Sequence, residues 1–246
     1  MVVGRKHVRR HNSTTLMPTL ANAYVRLERA DEHLQSIRQL AEEICVAQAE
    51  ATRVEIPPGK IIAPGEFGHV MTVESANTPI PAKLGVLVGD CINSLRSCLD
   101  YLITELAELD SGEAKRRNQF PVEKSPADFI NRRKTFLQGV SDSNVEKIEN
   151  LQPYNGAVWT GNLTRLSNWD KHNKLLVVAH DYLVGATISP NETFSTTDAP
   201  LKITMHIQPS LRIQFEDGLQ LLEALTEVRI GTQSTLEYFA PQFSAK

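Results

Sequence analysis

The chain lacks most of the signatures by which an activity can be read from sequence. No apolar run approaches the ~20 residues of a membrane-spanning helix, so no membrane partner is expected. The first residues carry charge without an apolar stretch behind it, which does not read as a signal peptide. Cysteine is scarce, with three in all. Cys91 and Cys98 lie on one helical stretch, about 10.5 Å apart by helical rise, too far to bridge. No Cys or His pair has zinc-binding spacing, and His69, His180 and His206 are scattered, so neither a metal nor a cofactor is expected. Small buried thiols in a reducing cytoplasm are the simplest reading, and there the sequons at Asn12, Asn162 and Asn191 carry no meaning. A Gly-x-Ser-x-Gly nucleophile elbow and a phosphate-cradling glycine loop are both missing.

What is present is an ordinary globular composition. The 246 residues are 41% hydrophobic and 22% charged, with net charge −3 and a pI near 6.2, which gives no bulk electrostatic reason for nucleic-acid or membrane binding. The basic clusters at 5–11, 115–117 and 132–134 read as a solvated arm and helix faces. Residues 1–17 form an expected disordered basic arm, and 18–246 a single domain. From Thr19 to about Thr52, Ala23, Leu27, Ala30, Leu34, Ile37, Leu40, Ala41 and Ile44 recur at three and four, the period of an amphipathic helix. Short strands are expected within 60–75. A second helix is expected from about Ala82 to Leu109, stopped by Ser111-Gly112. Ser125-Pro126-Ala-Asp128 marks a helix start, and helices follow to about Leu137 and over about 144–151. Gln152-Pro-Tyr-Asn-Gly156 is a turn. Residues 163 to about 183 read as helix. Period-two alternation over 201–216, interrupted by Pro209-Ser210, reads as a hairpin. A closing helix over about 219–239 is weakened by Gly231. The expected class is α+β: a mainly helical bundle with a small antiparallel β-sheet.

The most informative stretch is the second helix. Ile92, Leu95, Leu99, Leu102, Leu106 and Leu109 make a clean apolar stripe, and Asn93, Arg96, Asp100 and Thr104 step along an adjacent one. Arg96 and Asp100 are i,i+4 neighbours in the order less favourable for helix stability, so helix stability alone is a poor reason for the pair. In the later segment, Leu163, Leu166, Asp170, Asn173 and Val177 share a stripe, which places Asp170 and Asn173 where the period calls for apolar side chains. Interior polar groups want partners, and Arg96 can donate to Asp170. Two readings stay open. In one, an Arg–Asp–Asp network pins two helices in register. In the other, Arg96, Asp100, Tyr101, Asp170 and His172 line a shallow cleft, with His172 as acid or base near neutral pH.

These residues also carry a resemblance. Asn93, Arg96, Ser97, Leu99 and Asp100, then Phe120-Pro121, Leu151-Gln152-Pro153-Tyr154 and Asp170-Lys171-His172, resemble the pattern of an uncharacterised bacterial protein family common in actinobacteria. The likeness spans about residues 19 to 180 and implies no particular activity. The chain is more distantly similar to the HEPN superfamily of helical bundles. Many of its members are metal-independent ribonucleases of toxin and antiviral systems, using an Arg followed four to six residues later by His. Here the corresponding position is Tyr101, a poor proton shuttle at neutral pH, so His172 would have to serve from another helix. The expected function is that of a soluble cytoplasmic interaction or binding module without catalysis, acting on a protein partner or by self-association. Its structural polar cluster would be Asn93, Arg96, Asp100, Tyr101, Asp170 and Asn173. The alternative is a HEPN-like ribonuclease acting on RNA, with Arg96 and His172 catalytic.

Overall fold

The computed structural model describes residues 17–44, 46–47, 81–168 and 219–244 with their side chains, and the backbone alone for the rest of its helices and for its strand segments. Six helices follow one another: α1 (Ala21–Glu50), α2 (Ala82–Ser111), α3 (Pro126–Phe136), α4 (Asp142–Glu149), α5 (Val158–Lys171) and α6 (Leu221–Phe239).

Helix α2 is the central element, packing on α1, α5 and α6. Its apolar residues at spacings of three and four (Leu84, Val88, Ile92, Leu95, Leu99, Leu102 and Leu106) are all buried. The facing stripe of α1, from Ala23 through Leu27, Ala30, Leu34, Ile37 and Ala41 to Ile44, is buried as well. The small alanines in that stripe let the two axes approach along their length. Local chemistry fixes the ends. Gly112 ends α2 in the left-handed conformation at φ 76°, and its N–H returns to the Glu108 carbonyl, a glycine C-cap. Ser125 caps α3 by accepting from the Asp128 N–H at 3.2 Å, with Pro126 in the first turn.

Polar bonds fasten the layers. Arg229 of α6 grips Asp31 of α1 through two nitrogens at 2.7 Å each, the fork geometry that Arg alone supplies. Asn162 of α5 donates to Glu227 of α6 at 2.8 Å. Gly231 is explained by Trp159, because a Cβ at position 231 would stand 2.3 Å from the indole. The residue that weakens α6 on propensity is the one that lets the ring of α5 lie against it.

The expected α+β class is corrected. Among the residues described with side chains 78% are helical, in six helices, and no strand occurs, so this described part is an all-α bundle in which no sheet is seen. Period-two alternation reports a strand's two faces, but not whether it joins others into a layer. The side chains of the expected strands at 60–75 and 201–216 lie outside the described residues. In the backbone, Val177–Ser189 runs antiparallel to Lys202–Gln214 as a two-stranded ribbon, Val177 opposite Gln214 and Ser189 opposite Lys202. Pro209-Ser210 therefore falls within one strand and is not a hairpin turn, and the helix expected over 163–183 stops at Lys171. The expected basic arm lies outside the described residues apart from Met17.

Candidate functional site

Between α2 and α3, residues 119–123 form a strap with no helix or strand of its own. Phe120 is fully buried, so the strap brings backbone N–H and C=O groups into the interior, where each needs a partner. Side chains of α2 and of the turn after α4 supply them. Arg96 of α2 donates through Nη2 to the Phe120 carbonyl at 2.5 Å, and the Phe120 N–H donates to Asp100 Oδ1 at 2.9 Å. Gln152, fully buried just beyond α4, donates to the Pro121 carbonyl at 2.9 Å and accepts from the Glu123 N–H at 2.9 Å. Its amide also donates to the Ile148 carbonyl at 3.1 Å. Pro121 has no N–H and so leaves no donor of its own to satisfy there.

The Arg96–Asp100 spacing now has a physical account. One turn apart on α2, the pair presents one donor and one acceptor to the two backbone groups of a single residue, Phe120. The ion pair itself is loose, with Arg96 Nε 3.6 Å from Asp100 Oδ1 and both side chains 29% exposed. Burial pushes the Asp100 carboxyl above its ordinary pKa, while the Arg96 guanidinium and the Phe120 N–H pull it back down.

A cleft of about 460 Å³ opens beside the strap. Asn93, Arg96 and Asp100 of α2, Gln119 and Glu123 of the strap, Arg132 of α3 and Asn168 of α5 line it. Arg132 Nε bonds Glu123 Oε1 at 3.0 Å, and its guanidinium lies 5.1 Å from the centre of the Phe136 ring. A neighbouring hollow of about 610 Å³ shares Val122, Glu123, Thr164 and Asn168 with the first. Among the described residues lining either one there is no histidine or cysteine, hence no group that ordinarily titrates near neutral pH.

The residues nominated from sequence do not all meet. Asn93, Arg96 and Asp100 share the cleft. Tyr101 faces α1, where the Arg26 guanidinium sits 5.8 Å from its ring centre. The Asp170 side chain, and His172 and Asn173 entirely, lie outside the described residues. Sequence reasoning missed Gln119, Glu123 and Arg132 as cleft residues and Gln152 as a strap ligand. A signal for Gln152 was present: an amide directly after the apolar Ile148 and Leu151 and before a turn. The remaining cysteines on α2 are buried thiols, Cys91 and Cys98, both pushed up to about 12 by burial and thus unreactive at neutral pH.

Among the described residues no group of three or more His, Cys, Asp or Glu is placed to hold a metal ion. No helix there is long and apolar enough to cross a membrane. No family model, curated protein or solved structure matches the chain.

Proposed function

We propose that this chain is a non-catalytic interaction or binding module, soluble and cytoplasmic, whose Arg96–Asp100 pair is a structural device. The observation that carries this reading is that both groups are committed to the backbone of Phe120. A general acid or base has to reach a substrate proton, and a phosphate-binding Arg has to aim its fork at the ligand. Arg96 aims one nitrogen at a buried carbonyl instead. The adjoining cleft offers amides and a Glu123–Arg132 pair, groups suited to orienting a ligand or a partner's backbone. Exposed apolar side chains on the helix faces, Val25 of α1 and Val86 of α2 among them, suit a protein partner or self-association.

The test pairs a stability measurement with an assay. Arg96→Ala leaves the Phe120 carbonyl without its donor and is expected to lower stability by about 1 to 3 kcal/mol in urea denaturation. The pure full-length chain is expected to leave mixed RNA intact in EDTA. RNA cleavage in EDTA that disappears in folded Arg96→Gln and His172→Ala variants would overturn the proposal in favour of a HEPN-like ribonuclease.

A further inference from the structure

A second hollow, of about 260 Å³, lies between α1 and α2, on the far side of Asn93 from the strap. Arg26, Arg29 and His33 reach it from α1, stepping by three and four so that one helix face presents all of them. Across from them α2 offers the hydroxyls of Ser94 and Ser97 and, at the edge, the exposed carboxylate of Asp90.

His33 is what makes this hollow unusual. It is 8% exposed, and of the nine buried polar side chains among the described residues it alone makes no hydrogen bond. Thr232 and Thr235, for comparison, bond carbonyls one turn back, and Asn118 and Asn144 each make several bonds. An imidazole stripped of water with neither nitrogen paired lowers stability, a cost that packing alone would avoid with a leucine. Arg26 also has donors to give: its contact is the face of Tyr101, which orients the guanidinium plane without using its N–H groups. Arg29 is held only by a surface pair with Glu32, its side chain 58% exposed, and such a pair is readily exchanged for a ligand.

We infer that this hollow binds a phosphomonoester that also carries a hydroxyl. Arg26 and Arg29 take the phosphoryl oxygens in fork geometry, His33 donates to a third, and Asp90 accepts from the ligand hydroxyl. A simple carboxylate leaves Asp90 facing an anion with nothing between them, and inorganic phosphate has only a P–OH on the phosphorus itself to offer, without the reach of a separate ligand hydroxyl. This goes beyond the proposed role of the chain as a binding module and rests on different residues from the strap.

The experiment is calorimetric titration of the full chain with glycerol phosphate, with inorganic phosphate as the second probe. The expected result is saturable binding of glycerol phosphate, at least about tenfold tighter than inorganic phosphate. Arg26→Gln/Arg29→Gln, a surface double variant, is expected to weaken it tenfold or more. His33→Leu is expected to do the same while raising the thermal midpoint, since it removes an unpaired polar group. Arg116→Gln/Arg117→Gln, in the exposed turn before the strap and away from every hollow described, serves as a charge-matched control expected to bind normally. No binding of glycerol phosphate by the parent chain overturns the inference, as does undiminished binding in the folded double variant and in His33→Leu.

Discussion

Two regions flank α2, and they treat buried polarity in opposite ways. At the strap, Arg96, Asp100 and Gln152 each bond the backbone of residues 120–123, and Gln152 does so from full burial. At the α1–α2 hollow, His33 is nearly as buried and bonds nothing. A satisfied interior network defines a structure, because removing any member leaves another stranded. An unsatisfied group lowers stability, and its presence calls for a ligand or some other reason outside the fold. The contrast separates two clusters that look alike in sequence, since both are polar residues at helical spacing beside an apolar stripe.

The largest effect that can sharpen this contrast comes from the strap's anchor. Phe120→Ala removes a fully buried ring and is expected to cost about 3 to 5 kcal/mol in urea denaturation. A loss below 1 kcal/mol would mean that the strap is not part of the cooperative core. Next comes Gln152→Ala, which strands the Pro121 carbonyl and the Glu123 N–H together. About 1 to 3 kcal/mol is expected for each group that water cannot reach. His33→Leu should move stability the other way, a gain of about 1 kcal/mol in the same assay, and a loss of similar size would erase the distinction between the two regions.

The smallest expected effect is a pH dependence at Asp100. Its folded pKa is raised, chiefly by burial, so the folded state binds this proton more tightly than the unfolded one. The associated stability is full below the ordinary aspartate pKa and is lost as pH rises through the raised folded value. Denaturation across that window should show the parent gaining on Asp100→Asn as pH falls. A parent that loses ground to the variant on acidification would show that Arg96 and the Phe120 N–H outweigh burial.

Much of the helical body could be read from spacing. The stripes of α1 and α2 follow from their three-and-four periodicity, Gly112 from its place after the last apolar residue, and Ser125-Pro126 from cap chemistry. What could not be read were contacts with no periodic signature. The bond from Arg96 to the Phe120 carbonyl joins positions 24 apart in the chain, and any residue at 120 would offer the same carbonyl. Sequence patterning therefore pointed Arg96 toward side-chain partners, when a backbone partner answers the same need. The α+β class failed for a related reason, because alternation in one segment says nothing about whether other strands join it in a layer. Gly231 was legible as a weak point of α6, but Trp159, which explains it, lies 72 positions earlier.

Amide hydrogen exchange at Phe120 and Glu123 tests the central account most directly. Both N–H groups lie in a segment without secondary structure, where exchange is ordinarily fast, yet each is bonded to a side chain, Phe120 to Asp100 of α2 and Glu123 to the buried Gln152. Both amides should be protected to the level of the core helices. Asp100→Ala should selectively release Phe120, and Gln152→Ala should selectively release Glu123. Rapid exchange of both amides in the parent chain would contradict the account.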